Sequence, residues 1–287
     1  MTYSVAVVDL ERQEMALGSV SHSCAAFTKV FASAAVSHRT ALVASQAFSS
    51  KALGQACADL ASTGEPGTTL EAACRAESWA PYRQLLAVTN EGMLFAHTGA
   101  ACVRWAGHAV DEATSVVAAG NMLEGPEVLA AVMRAAGSTA QSADERVLAG
   151  LAAGGAAGGD FRGDRSAGLC VVGASGSYDV RVDDHDQPHE ELLRLSSLER
   201  GRSALARCYA WIAEGRPAVE VDPVLDSLAQ GAADDPELAA WQLAVRLLSG
   251  RAGDQGAHEG TVESKDGEVA AFARLLVERL APEGVAQ

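Results

Sequence analysis

Short runs of β-branched and small apolar residues, bounded by polar or turn residues, fill the first two thirds of the chain. Runs of this length and composition are typical of buried strands. Asn90-Glu91-Gly92 separates two of them and is a hairpin signal. The pattern predicts strands over residues 2–9, 15–22, 40–47, 82–89, 92–99, 113–121, 167–175 and 178–184.

Helical periodicity lies between these strand pairs, near residues 50–62, 68–78, 125–136 and 142–153. Pro126 stands where a helix start tolerates its missing N–H, and Ser142 is a suitable N-cap. After Pro188 no strand pattern remains, and helices are expected over 189–215 and near 222–230, 235–249 and 266–280. The pattern therefore predicts an α+β domain over residues 1–187 and an all-helical C-terminal appendage over 188–287.

Composition narrows the class of protein. The chain has 287 residues and is 48% hydrophobic, enough for a large core. Its net charge of −15 disfavours nucleic acid and anionic membranes as partners.

No apolar run approaches the roughly 20 residues of a membrane span, and no leader segment precedes the first strand. The six cysteines form no CxxC pair. We expect a cytoplasmic protein with reduced thiols and no bound metal or cofactor.

Thr2 is the first candidate for chemistry. Start methionine is normally removed before a small residue such as Thr, which would leave a free α-amino group with a pKa of about 7.7–8. That amine could take the proton of the Thr2 hydroxyl, so one residue would supply nucleophile and base. Many proteins begin Met-Thr, so this feature alone does not define a site.

Several longer stretches add to Thr2. From Thr2 to about Leu195, seven segments occur in an order that resembles one family, the Ntn-hydrolase-like proteins of domain of unknown function 1028. They are MTYSVAVVD, ALGSVSH, VASQA, YRQLLAV with AHTGAACVRWAGH, GNMLEGPEV, LAAGGAAGGDFRGDRSAGLCVV and DVRVDDHDQPHEEL. The helical appendage lies outside this resemblance.

The resemblance implies an Ntn-hydrolase-like αββα four-layer sandwich, with two antiparallel sheets between helix layers. It implies that Thr2 is the nucleophile of an amidohydrolase that cleaves the amide C–N bond of a small molecule through an acyl-enzyme. A homo-oligomer is expected by analogy with similar folds. In the family, the position after Ser-Val-Ser usually carries Arg or Lys, and this chain has His22. A histidine is a cation there only when protonated, so His22 either retunes the site or marks lost activity.

Two polar pairs and an asparagine are candidates to support Thr2. Asn121 could donate to an oxyanion or to substrate, or it could be a turn residue after Gly120. Ser45 and Gln46 end a strand expected to pair near the first strand, where Ser45 could bind the terminal amine or be a buried strand serine. His97 and Thr98 could line the same pocket, although a histidine at a hairpin end is often structural.

Arg104 could hold a substrate carboxylate, or it could be a solvated surface charge. Asp160, Arg162 and Asp164, on the glycine-rich loop 153–165, could also reach a pocket. That loop lacks the order of a phosphate-binding loop.

Three other functions stay open. A non-catalytic Ntn-fold protein could use the helical appendage for binding or assembly. Cys24 could be the nucleophile, with His22 or His38 as its base, or it could be a small core thiol. The stretch DDHDQPH could hold a metal through Asp184, His185, Asp186 and His189, or it could be a solvated loop before the next helix.

Overall fold

A computed structural model describes residues 2–174, 176–214, 225–226, 228–229, 235–248 and 265–280. Met1 lies outside this part, as does much of the helix expected near 222–230. The chain divides into two compact units, Met1–Leu193 and Arg194–Gln287. The boundary expected from the sequence, at 187/188, is where the long helix α6 (Pro188–Glu214) begins.

The first unit is a mixed α+β structure with two antiparallel sheets, as the sequence predicts. The larger sheet has six strands in the order β10-β9-β2-β1-β8-β7. Their bounds are β1 Thr2–Asp9, β2 Glu14–Ser21, β7 Gly107–Asp111, β8 Val116–Gly120, β9 Ser166–Gly173 and β10 Gly176–Val182. The register of β1 pairs Thr2 with Ser21 of β2 and Tyr3 with Gly120 of β8.

The smaller sheet has four strands in the order β3-β4-β5-β6. They are β3 Phe31–Val36, β4 Arg39–Ala47, β5 Arg83–Thr89 and β6 Leu94–Thr98. The β5–β6 connection contains the expected Asn-Glu-Gly hairpin, in which Gly92 has a φ of 94°. A positive φ of this size is strained for other residues, which is why the turn needs glycine.

Four helices cover the outer faces of the two sheets. They are α2 Lys51–Ser62 and α3 Gly67–Ala76 on the smaller sheet, and α4 Pro126–Ala136 and α5 Ala143–Ala156 on the larger sheet. The short helix α1 Ala26–Val30 instead packs Phe27 into the space between the sheets, and a 3₁₀ turn spans Ala80–Tyr82. The inner faces pack on each other through one apolar cluster that includes Ala6, Leu17 and Val117 of one sheet and Leu42 and Leu86 of the other. A second cluster joins the outer face of the smaller sheet to α2 and α3.

Helix α5 packs closely against the larger sheet. A Cβ on Gly154 would lie 2.9 Å from Tyr3 Cε2 and 2.7 Å from Val132 Cγ2. Glycine therefore lets the end of α5 approach β1 and α4. The glycine-rich stretch 153–165, expected to be a loop, is thus helical as far as Ala156.

Three elements were missed by the sequence prediction. They are α1, β3 and β7, which are short or carry mostly alanine and glycine. Strands β3 and β7 lie at sheet edges. Edge strands bury less surface and therefore have a weaker apolar pattern.

The second unit is helical in the described residues, with α7 Pro236–Leu248 and α8 Lys265–Leu280 after α6. Its core includes Cys208, Leu238 and Trp241. No helix in the described ranges is both long enough and apolar enough to cross a bilayer.

Candidate functional site

One end of the space between the two sheets is polar, and Thr2 lies there. Side chains alternate along β1, so those of Ala6 and Val8 point into the apolar cluster. Those of Thr2 and Ser4 therefore point to the same inner face. Thr2 is 2% exposed in the full chain, Met1 included. Its Oγ1 donates to Ser21 Oγ across the β1–β2 pair at 3.4 Å. The fold therefore buries the Thr2 hydroxyl between the sheets, at the first residue of β1.

The carbonyl of Thr2 is held by three donors. The backbone N–H of Asn121 donates to it at 3.2 Å, and Asn121 Nδ2 donates at 3.2 Å. From the opposite sheet, Gln46 Nε2 donates at 3.3 Å, while Gln46 Oε1 accepts from Ser4 Oγ at 2.5 Å. Contacts from both sheets thus fix the backbone at the head of β1.

Gln84 of β5 organises this cluster. Its Nε2 donates to Gly107 O at 3.0 Å and to Gly120 O at 2.9 Å. Carbonyl oxygens only accept, so these contacts fix the orientation of the amide. Gln84 Oε1 therefore faces inward and accepts from Gln46 Nε2 at 2.7 Å and from Asn121 Nδ2 at 3.0 Å.

The same contacts determine which hydrogen-bonding atoms of the Asn121 side chain are already used. One hydrogen of its Nδ2 goes to Thr2 O and the other to Gln84 Oε1. Its backbone N–H is also used by Thr2. In this arrangement Asn121 has no side-chain hydrogen left for an oxyanion, the role expected from the sequence, and its Oδ1 remains as a hydrogen-bond acceptor.

A loop after α5 covers the end of the sheet from which β1 starts. Asp160 forms a bridge with Leu123, just beyond β8, and its Oδ2 accepts from His22 N, just beyond β2, at 3.3 Å. The loop therefore binds the two segments on either side of β1. Asp160 is 1% exposed and is paired with Arg162, whose Nη2 is 2.9 Å from its Oδ2. Arg162 thus offsets the charge of this buried carboxylate.

His22 is oriented by the same loop. Its Nδ1 is 2.9 Å from Gly163 O, and because a carbonyl cannot donate, Nδ1 carries a hydrogen. In the neutral ring Nε2 is therefore the unprotonated nitrogen. The loop therefore fixes which nitrogen of the neutral His22 ring is the acceptor.

On the outer face of β1, Tyr3 ties the loop to α6. Its hydroxyl is 2.8 Å from Asp164 Oδ2 and 3.1 Å from His189 Nε2, and these two side chains are 2.9 Å apart. Burial, followed by the Asp164 carboxylate, raises the pKa of Tyr3 well above its usual value. The neutral phenol therefore donates to the carboxylate and holds the loop that lies over Thr2.

A cavity of about 450 Å³ opens next to Asn121. Its walls include Phe48, Trp79, Tyr82, Val103, Asn121 and Met122. The Trp79 ring packs edge-on against Phe48 at 5.5 Å between centroids and against Tyr82 at 6.0 Å. Two other wall residues, Ala47 and Met122, have positive φ values of 65° and 53°. Strained backbone of this kind is common where a site is held in a set shape.

Three residues expected at the site lie elsewhere. Strand β4 does not pair with β1 but faces it from the other sheet, and Ser45, next to Gln46, points to the outer face, where its Oγ accepts from Ser50 N. His97 also points outward, and its Nδ1 is 2.8 Å from Glu71 Oε2 of α3. Arg104 is exposed, one residue beyond Val103 of the cavity wall.

Thr98 does lie in the polar cluster. Its Oγ1 accepts from Gln84 Nε2 at 2.9 Å and is 2.9 Å from His108 Nδ1. Burial, followed by the neighbouring His97, lowers the pKa of His108. Alternation along β6 therefore separates Thr98 from His97, although the two are adjacent in sequence.

The residues of the two rival sites are dispersed. Cys24 is exposed, and His38 lies in the β3–β4 turn, 3.3 Å from Glu91. In the DDHDQPH stretch, Asp184 pairs with Arg165, whereas His189 faces Tyr3. The described part of the chain contains no group of three or more His, Cys, Asp or Glu side chains placed to hold a metal ion.

Sequence reasoning did not single out Gln84 or the aromatic wall. A signal for Gln84 was present, because it is a polar residue two positions before Leu86 and four before Val88, on the inward face of an apolar strand. The aromatic wall assembles from a strand end and a 3₁₀ turn far apart in sequence, and no local pattern marks it.

The comparisons with known proteins agree with this architecture. The crystal structure of protein SPO2555 from Silicibacter pomeroyi, which carries the DUF1028 family assignment, is 27% identical, with a TM-score of 0.61. The similarity covers 68% of this chain and 84% of that chain. No curated protein matches the chain significantly. The family model described as "Family of unknown function (DUF1028)" matches residues 2–192, and the chain belongs to that family.

Proposed function

We propose that the protein is an N-terminal-nucleophile amidohydrolase, in which Thr2 attacks the amide C–N bond of a small molecule after Met1 is removed. The observation that carries this proposal is the position of Thr2. Its hydroxyl is buried at the head of β1, between two antiparallel sheets, and its carbonyl accepts from Asn121, which lines a cavity. A nucleophile at the first residue of a central strand, with helices outside both sheets, is the arrangement expected of an Ntn-hydrolase-like αββα sandwich.

The proposed reaction uses the two functional groups of Thr2 in turn. The α-amine takes the hydroxyl proton as Oγ1 forms a bond to the amide carbon. The amine then gives that proton to the leaving nitrogen as the C–N bond breaks, which leaves an ester on Oγ1. Water hydrolyses this ester by the same proton transfers in the opposite sense, and it releases the acid and restores Thr2.

One neighbouring side chain supports this chemistry. Ser21 Oγ, 3.4 Å from Thr2 Oγ1, can relay a proton between the hydroxyl and the amine. The α-amine needs no added cation to act as a base, because its ordinary pKa of about 7.7–8 lies close to neutrality.

The test is covalent labelling of protein made without an N-terminal tag, with Met1 removal verified by intact mass. A β-lactone electrophile should acylate Thr2, as located by peptide mapping. Thr2→Ala should abolish the label and should lower amide hydrolysis by at least about 1000-fold, as for other nucleophiles. Thr2→Ser should retain both, and Thr28→Ala, at an exposed threonine, is the matched control. Unchanged hydrolysis by Thr2→Ala would refute the proposal.

One observation favours a second function, a non-catalytic binding protein of the same fold. The side-chain hydrogens of Asn121 are both used in internal contacts, so this residue is not ready to stabilise an oxyanion. On this alternative the cavity binds a ligand without cleaving it. Clean labelling of Thr2 by the electrophile would count against it, whereas a free Thr2 amine with no labelling would favour it.

A further inference from the structure

We infer that the cavity beside Asn121 binds an uncharged, flat apolar group that carries an N–H, so that aromatic carboxamides are the substrate class of this site. The inference rests on the proposed function, because it takes the cavity to be the substrate pocket of Thr2. It adds the chemical identity of the bound group, which the position of Thr2 does not define.

The wall of the cavity is a preformed aromatic surface. Phe48, Trp79 and Tyr82 are 55%, 54% and 46% exposed, although large apolar side chains usually bury more of their surface. They pack edge-on against one another, and the guanidinium of Arg83 lies 5.0 Å from the centre of the Phe48 ring. Edge and face contacts of this kind suit another planar ring.

The size of the cavity fits a small molecule. Its volume of about 450 Å³ lies within the range of roughly 300–1,000 Å³ that ligand pockets occupy. Val103 and Met122 complete the apolar wall. Wall residues in the described part of the chain include no charged side chain, so an ionised group would lose hydration there without an ion partner.

Asn121 offers the cavity a hydrogen-bond acceptor. Asn121 lines the cavity with its two side-chain hydrogens already donated to Thr2 O and Gln84 Oε1. Its Oδ1 is therefore the atom available to a ligand. An acceptor binds an N–H or O–H and repels a carboxylate, and a carboxamide supplies that N–H directly.

The location ties this pocket to the nucleophile. Asn121 contacts the Thr2 carbonyl through both its backbone and its side chain. A carboxamide whose N–H reaches Asn121 Oδ1 and whose ring lies on Trp79 would therefore be bound next to the residue proposed to attack it.

The test measures binding apart from turnover. Isothermal titration calorimetry on the Thr2→Ala protein would use phenylacetamide, phenylacetate and acetamide. These probes carry ring and N–H, ring and carboxylate, and N–H without ring. We expect phenylacetamide to bind at least tenfold more tightly than either of the others. Equal binding of phenylacetate, or no measurable binding of phenylacetamide at millimolar concentration, would overturn the inference.

Two variants locate the binding site. Trp79→Ala removes the centre of the aromatic wall and should weaken phenylacetamide binding at least tenfold. Leu10→Ala removes a side chain that is 56% exposed beyond the far end of β1, and it should change binding less than twofold. Equal effects of the two substitutions would show that the ring does not bind at Trp79.

The outcomes separate this inference from the proposed function. Selective binding of phenylacetamide, with no labelling of Thr2 and no hydrolysis by the wild type, would refute catalysis and retain the ligand class. Labelling of Thr2 with equal turnover of acetamide and phenylacetamide would retain catalysis and refute the ligand class.

Discussion

Replacement of Gln84 by Met tests whether this amide organises the polar cluster. Gln84 is 0% exposed and its side chain takes part in five hydrogen bonds. A typical buried hydrogen bond contributes about 0.5–1.5 kcal/mol to stability, and an orphaned buried group costs about 1–3 kcal/mol. Methionine has a similar shape but no donor and only a weak acceptor in its thioether sulfur.

The full sum of five bonds overstates the loss. Gln46 Nε2 keeps its contacts with Thr2 O and Ala119 O. The largest cost falls on Asn121, whose second amide hydrogen loses its acceptor. We therefore expect a loss of about 2–4 kcal/mol. For a unit of this size that corresponds to a fall in Tm of roughly 4–16 °C.

Thermal unfolding of the full chain, followed by far-ultraviolet circular dichroism, measures this change. Gln55→Met is the matched control, because Gln55 is exposed and its Nε2 contacts Ser33 O and Asp59 Oδ1 near the surface. It should cost no more than about 0.5 kcal/mol. If Gln84→Met melts within about 1 °C of the control, the amide does not hold the cluster together and the reasoning fails.

Three further predictions concern the rest of the first unit. Tyr3 should remain a phenol in the folded protein at a pH where exposed tyrosines ionise, because burial raises its pKa. Stability should then fall above about pH 10, where the unfolded chain ionises first. Absorbance at 295 nm should accordingly be the same for wild type and Tyr3→Phe, while Tyr82→Phe, at an exposed tyrosine, lowers it. Gly18→Ala should destabilise by about 1–3 kcal/mol in urea unfolding, because the new Cβ would lie 2.6 Å from Val147 Cγ1. Cys24, the exposed thiol, should react fastest with a disulfide reagent, and Cys24→Ser should remove that phase.

The buried strands could be predicted from sequence because short runs of β-branched and small apolar residues are typical of strands buried on both faces. β1 is such a run, and all eight of its residues are buried. Strands β3 and β7 could not be found in this way. Residues of β3 such as Ser33 and Ala34 lie at a sheet edge, where burial is incomplete and the pattern is weak.

The candidate site was predictable only where one strand carried enough information. Thr2 was proposed from its place at the head of β1 together with the family resemblance, and Asn121 from the segment GNML that carries part of that resemblance, and the structure puts the two in contact. Ser45 and His97 were grouped with them by sequence proximity, but alternation along β4 and β6 turns both to the outer face. Which face of a strand is the inner one depends on how the two sheets pack together. No local segment of the sequence determines that packing.

The space between the sheets has hydrogen-bonded polar groups at one end because buried amide side chains are costly without partners. Gln46 and Gln84 stand at the inward register of β4 and β5, where Ala44 and Leu86 occupy the next inward positions. A buried amide without partners costs several kcal/mol, so each must meet donors and acceptors from the facing sheet. Gln46 donates to the carbonyls of Thr2 and Ala119, and Gln84 donates to those of Gly107 and Gly120. These inner polar groups therefore hold the backbone around Thr2, which is what the proposed reaction requires of its nucleophile.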